Sequence, residues 1–178
     1  MDVNLDFWIR FSGVVAAALN VWGFLVLSET RIKGLFAASS LVWAIQYFLL
    51  GSASGAAIML LAAVRQVMSM QAGSMSLNEK WAWTGFFGVA AVVLTLLTVQ
   101  VWAYALVGLL ATLIGTWSFF LGSNESIRKW TLLTNSLWAI HAWVFESWEL
   151  LVCMLVLNVV NVFSIVRLSR GPVPAVLR

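Results

Sequence analysis

Between Trp81 and Gly122 the chain reads WAWTGFFGVAAVVLTLLTVQVWAYALVGLLATLIGTWSFFLG, 42 residues without one charged side chain. As a single helix that stretch would run about 63 Å, twice the ~30 Å hydrocarbon core of a bilayer. It therefore has to cross twice, with a tight turn near Gln100. The whole span count hangs on that turn. Outward from it, the remaining charges sit in narrow windows and leave apolar stretches of about 17 to 21 residues, each long enough for one crossing. Seven spans are predicted: Phe7 to Leu27, Leu35 to Leu50, Ser54 to Gln71, Trp81 to Val99, Trp102 to Leu121, Thr131 to Phe145 and Glu149 to Leu168. The second and sixth are short. Composition agrees with a membrane protein, since 62% of residues are hydrophobic and only 10% charged, against about a quarter charged in soluble domains. Mean hydropathy is +0.97.

The two arms around this stretch repeat each other. A shift of 95 residues lays Trp22-Gly-Phe24 on Trp117-Ser-Phe119, Gly13 on Gly108, Ser28 on Ser123, Ile32 on Ile127 and Trp43-Ala-Ile45 on Trp138-Ala-Ile140. Ala16, Ser52, Met59, Leu60, Val64, Val67 and Ser69 also meet their like. That makes about fifteen identities over roughly sixty positions, the signature of a duplicated unit. The first, second and third spans fall on the fifth, sixth and seventh. The predicted fold is an all-α integral membrane protein of two parallel three-helix repeats joined by a linker helix. Residues 1–72 form the first repeat, 73–100 the loop and linker helix, 101–170 the second repeat and 171–178 a C-terminal tail. Equivalent helices are four crossings apart, hence parallel, one of the two repeat types found in transporters.

Under this count Arg31, Lys33, Lys80, Arg128, Lys129, Arg167, Arg170 and Arg178 lie on one side. The other side carries at most Arg10, with Asp2, Asp6, Glu146 and Glu149. Lys and Arg collect on the cytoplasmic side, which places the N-terminus outside and the C-terminus in the cytoplasm. The pI near 9.5 then reports membrane orientation rather than nucleic-acid binding. The N-terminus is acidic and has no signal-peptide pattern. Cys153, the one cysteine, lies within an apolar span and excludes an intramolecular disulfide.

Trp138-Ala-Ile-His141, followed by Glu146 and by the run Leu157-Asn158-Val-Val-Asn161-Val-Phe-Ser-Ile-Val-Arg167, resembles the YgjV-type bacterial inner membrane proteins. So do Tyr47-Phe-Leu-Leu-Gly51, Leu61-Ala-Ala-Val-Arg65 and Thr116-Trp-Ser-Phe-Phe. The likeness covers most of the chain and implies a location in the bacterial inner membrane. The three-one-three plan is similar, as architecture alone, to the SWEET sugar facilitators and the PnuC-type vitamin and nucleoside transporters. SWEET-type repeats carry a proline–glutamine hinge, but Pro172 and Pro174 are the only prolines here and both lie in the tail. Gly13 and Gly108, equivalent in the repeat, are the hinge candidates.

Polar residues inside spans are costly in hydrocarbon and usually face the bundle interior. Asn158 and Asn161 share one face of the seventh span, which Ser164 extends. The matching stripe on the third span is Ala62, Arg65, Gln66 and Ser69, with Gln66 falling on Asn161. In SWEET-like transporters the pocket lies between these two helices. Amides offer donors and acceptors together and suit a neutral polyhydroxylated or heterocyclic solute; they serve equally as interhelical glue. Arg65 lies about six residues from the inner end of its span, roughly 9 Å. It could snorkel or pair structurally, or contact the substrate. His141 falls on Gln46 and has two readings, a proton switch tuned by Glu146 or a neutral hydrogen-bonding group.

Of the eleven tryptophans, Trp8, Trp81, Trp83, Trp102, Trp130 and Trp148 flank span ends, as an interfacial belt requires. The pairs Trp22/Trp117 and Trp43/Trp138 are expected inside, where aromatic faces could sandwich a solute or simply pack. Trp43 and Trp138, beside Gln46 and His141, are the favoured site pair. One His and one Cys cannot build the usual metal cluster, and no catalytic motif occurs. An enzyme, a metal or a cofactor is not expected. A minor alternative is an integral enzyme using Glu146, Glu149 and His141. The expected function is an inner-membrane facilitator of a small polar solute, a sugar, nucleoside or vitamin-like molecule, by alternating access between the repeats. The partners are that solute and the bilayer, and any homo-oligomer would be accessory to the path. The alternative is a non-transporting membrane scaffold or partner subunit, in which the stripe on the seventh helix is packed shut.

Overall fold

In hydrocarbon a backbone must satisfy its own polar groups, so an apolar chain of this kind folds as helices. The computed structural model describes residues 3–99, 102–144 and 148–170. They form α1 (Val3–Leu25), α2 (Glu29–Leu49), α3 (Ala53–Ser69), α4 (Leu77–Thr98), α5 (Trp102–Leu121), α6 (Asn124–Val144) and α7 (Trp148–Arg170). The charge-free stretch is indeed broken in two. Thr98 closes α4 and Trp102 opens α5; Gln100 itself lies outside the described residues. Among the described residues four helices are long and apolar enough to cross a membrane: Leu5–Leu25, Glu29–Leu49, Leu77–Thr98 and Leu150–Ser169. Ala53–Ser69 and Ala105–Leu121 are shorter apolar helices.

Local chemistry fixes the turns. Gly51 follows the α2 C-cap with φ of 75°, donating to the Phe48 carbonyl at 3.0 Å while Ser52 N donates to the Tyr47 carbonyl at 2.8 Å. This closure needs a left-handed residue, which glycine supplies without strain. Ser52 then accepts the Gly55 N–H and caps α3. We expect Gly51→Ala to cost about 1 kcal/mol, a fall of roughly 2–4 °C in the unfolding midpoint of the detergent-purified protein. An unchanged midpoint would mean that the turn relaxes. At the start of α4, Ser76 and Glu79 form a reciprocal capping box.

Along the chain α1 packs on α2, α2 on α3, α5 on α6 and α6 on α7. The two groups of three meet where α1 packs on α7 and α3 on α5, and α4 lies against α3 and α5. Phe24, Phe36, Trp43, Phe119, Ile127 and Leu157 belong to one buried cluster, and Phe87 joins Phe120 and Ala72 in a second beneath α4. The outer surface is the reverse of a soluble protein's. Phe48, Val89, Leu97, Val159 and Phe163 are all exposed, apolar surface of the kind that lipid would cover.

Three expectations are corrected. The second and sixth helices are not short, because both begin earlier than predicted, at Glu29 and Asn124. Among the described residues the charges read as lying between spans are helical, and two of them, Lys33 and Arg128, are buried at 1% and 0% exposure. Arg65 is therefore not the only cation drawn deep into the protein. Trp22 and Trp117 are not inside either: Trp22 is 59% exposed and Trp117 is exposed as well. Trp22 lies six residues past the buried Ala16, about 120° around the helix from the packed face, so it points outward.

Candidate functional site

A cavity of about 120 Å³ lies where α1, α2, α3, α5, α6 and α7 face one another. Its wall is aromatic on several sides, with Phe24, Phe36, Trp43, Tyr47, Phe119 and Trp138. Polar groups enter from both groups of helices: Asn20, Ser40, Arg65 and Gln66 from the first, Thr112, Thr131, Thr134 and Asn135 from the second. The space is ample for water, which needs only about 10–15 Å³ of such volume and a few polar partners.

Arg65 crosses from α3 to α5. Its Nη1 donates to the Thr112 carbonyl at 2.9 Å and to Thr116 Oγ1 at 3.0 Å, and its guanidinium lies 5.4 Å from the Phe119 ring centroid. Gly115 makes the room. A Cβ there would stand 3.3 Å from both terminal guanidinium nitrogens. Beside it, Gln66 accepts from Ser40 Oγ at 3.0 Å, joining α3 to α2.

Four of the predicted site residues, Arg65, Gln66, Trp43 and Trp138, thus share the cavity wall. Asn158 and Asn161 lie elsewhere. Asn161 is wholly buried and donates to the Arg128 carbonyl at 2.7 Å; Asn158 reaches Ser136 Oγ at 3.2 Å. Both tie α7 to α6. Gln46 donates to the Ile9 carbonyl at 3.1 Å and ties α2 to α1, while the His141 side chain lies outside the described ones. Of the hinge candidates, Gly13 is a close-packing site, because a Cβ there would fall 2.7 Å from Gln46 Nε2. A Cβ added at Gly108 would stand 3.5 Å from the Trp138 ring, an ordinary contact. Gly13→Ala should displace the Gln46 amide and cost about 1–3 kcal/mol, read as a lower unfolding midpoint. A midpoint equal to wild type would show that Gln46 swings aside freely.

A second polar network sits at the C-terminal end of α1. The last carbonyls of a helix lack internal partners and attract cations. Arg128 supplies them from α6, donating through Nη1 to the Phe24 carbonyl at 2.8 Å and through Nη2 to the Val26 carbonyl at 2.5 Å. It also bonds Ser164 of α7, which in turn donates to the Phe24 carbonyl at 2.6 Å. Asn124 adds a bond to the Leu27 carbonyl at 2.8 Å. Lys33 serves α3 in the same way, donating to the Ser69 carbonyl at 2.9 Å and pairing with Glu29 at 2.6 Å.

Asn20, Ser40, Tyr47, Thr112 and Asn135 were not singled out from the sequence. Ser40 and Asn135 are 95 residues apart, as are Lys33 and Arg128. Both pairs match in chemistry and differ in identity, so a search for identities passes over them.

An apolar outer coat around a partly polar interior cavity defines a helical integral membrane protein. More narrowly, the chain belongs to the bacterial inner membrane protein family Imp-YgjV, whose sequence description matches residues 7–171. No curated protein and no solved structure matches it.

Proposed function

We propose that this protein is a facilitator of a small polar solute across the bacterial inner membrane. In this reading seven helices cross, with the N-terminus outside and the C-terminus in the cytoplasm. Two parallel triplets, α1–α3 and α5–α7, are linked by α4 in a plan similar to SWEET and PnuC transporters. The carrying observation is the cavity, which takes polar and aromatic side chains from both triplets. The helix contacts support the same plan: α1 on α7 and α3 on α5 are equivalent pairs under the 95-residue shift. So does the burial of Ala16 with Ala111, Phe24 with Phe119 and Ile32 with Ile127. Transport would proceed by rocking of the triplets about the cavity, without an enzymatic step or a cofactor. A homo-oligomer would add nothing to the path, and nucleic acid has no part in it.

Arg128 binds the end of α1 to α6 and α7, across the triplets, at the end rich in basic residues. In this reading alternating access requires that strap to let go.

The stripe on α7 favours the second reading, a scaffold or partner subunit. Asn161 and Ser164 are buried and bonded to protein, and the open space lies on the α3 side instead. Reconstitution separates the two readings. Liposomes carrying the purified protein should take up at least one solute, from a panel of labelled sugars, nucleosides, vitamins and small organic acids, saturably and faster than protein-free liposomes. Folded protein that moves none of them would leave the scaffold.

A further inference from the structure

Among the described residues the cavity wall carries one full charge, on Arg65, and no opposite charge to pair with it. Arg65 is only 6% exposed, and a guanidinium keeps its proton inside proteins. Its polar contacts through Nη1, a carbonyl and a hydroxyl, are neutral, and its Nε has no partner. No aspartate or glutamate lines the cavity among the described residues. The ion pairs Glu29–Lys33 and Glu125–Lys129 involve no residue of its wall. An unanswered charge in a low-dielectric interior is costly, and a counter-charge held by hydrogen bonds relieves that cost.

A second unsatisfied donor faces the same space from the other triplet. Asn135 of α6 is 8% exposed, lines the cavity and leaves its Nδ2 without a partner. Two donors lacking acceptors, one of them cationic, on different helices lining one cavity make a site for an anion. The remainder of the wall is a hydrocarbon and aromatic surface from Phe36, Trp43, Tyr47, Met59 and Met154, which suits an organic body better than a bare hydrated ion. A guanidinium matches a carboxylate in planarity and spacing, and a single cation neutralises a single negative charge.

We propose that the solute is an organic monocarboxylate. Its carboxylate lies on Arg65 and Asn135, with Trp43 and Trp138 beside its body. The proposal rests on the facilitator reading and replaces the neutral solute that the amide stripe of α7 had suggested. Because the two contacts come from different triplets, an anion at this position draws the triplets together. A bound carboxylate would thus be a structural link between the moving parts.

The test compares acids with their own amides. Purified full-length protein is titrated at pH 7 with lactate and lactamide, benzoate and benzamide, nicotinate and nicotinamide, and with sodium chloride. Tryptophan fluorescence and the unfolding midpoint are followed, and the same solutes are then assayed for flux in liposomes. At least one acid should bind saturably, about tenfold or more tighter than its amide. Arg65→Gln should abolish that preference, Arg65→Lys should keep part of it, and Asn135→Ala should weaken it with Arg65 intact. Circular dichroism and gel filtration confirm the fold of each variant. If Arg65→Gln fails to fold, the acid–amide comparison in the wild type and the Asn135→Ala variant decide. An amide that binds as tightly as its acid overturns the proposal, as does acid binding that survives Arg65→Gln. Chloride competing as well as any carboxylate replaces it with an inorganic anion, and no binding by any acid removes it. Flux of neutral solutes without acid preference would leave the facilitator standing and sink the charge. Acid binding without flux of any solute would do the opposite.

Discussion

Arg128→Ala is expected to lower the stability of the folded protein by about 3–5 kcal/mol. The side chain is fully buried and serves the Phe24 and Val26 carbonyls and Ser164 together. Removing it orphans acceptors in the interior, each at about 1–3 kcal/mol, and opens a void between α1, α6 and α7. The Ser164 hydroxyl still reaches the Phe24 carbonyl, so the loss falls hardest on Val26. Circular dichroism melts in detergent should show the midpoint falling by at least about 6 °C. Arg128→Lys should recover part of that, since an ammonium supplies charge and donors but lacks the planar fork. Lys129→Ala, on the next residue, is the control: its side chain is 60% exposed and pairs only with Glu125, so it should stay within about 0.5 kcal/mol. Equal melts for Arg128→Ala and wild type would mean that the end of α1 finds other donors, and the strap between the triplets would lose its physical basis.

Ala62→Phe should cut solute flux in liposomes by about tenfold or more while leaving the unfolding midpoint nearly unchanged. Ala62 lies on α3 one turn before Arg65 and Gln66 and is part of the cavity wall. A ring added there projects into existing space, whereas enlarging a residue in a close-packed interior typically costs about 1–3 kcal/mol. Activity and stability are thereby uncoupled, a pattern that a scaffold has no reason to show. Leu60→Phe, on the same helix but facing outward, should alter neither. Flux undiminished in Ala62→Phe would place the path somewhere other than this cavity.

Much of this architecture is legible in the sequence because the bilayer imposes a length on it. A break near Gln100 is expected from a charge-free run too long for one crossing, and α4 ends at Thr98 while α5 opens at Trp102. The beginnings of α2 and α6 were less legible. Lys33 and Arg128 look like loop residues until one sees the helix ends whose carbonyls they satisfy. The repeat states that Trp22 and Trp117 share an environment, but not which one. Lipid and protein core are equally apolar, so the hydrophobic pattern that orients a helix in a soluble protein is weak here. The candidate site was read in part for the same reason. Arg65, Gln66, Trp43 and Trp138 meet at the cavity, whereas Asn158, Asn161 and Gln46 donate their amide N–H groups to neighbouring helices. A polar residue in a span needs a partner, and the sequence alone does not say whether that partner is backbone, side chain or solute.

Lys33 and Arg128 also have to be read twice during biogenesis. Under the proposed topology both are hydrated cations adjoining apolar segments while the chain emerges, and they would be counted with Arg31, Lys80, Lys129 and Arg167 in setting its orientation. Once the helices assemble, the two are withdrawn to close the ends of α3 and α1. Moving the Arg128 charge to a neighbouring position would preserve the topological signal and still leave the Val26 carbonyl without its donor. Such a variant should insert the right way round and then fail at assembly. Glycosylation or protease mapping would find its termini in their usual compartments while the protein itself was degraded.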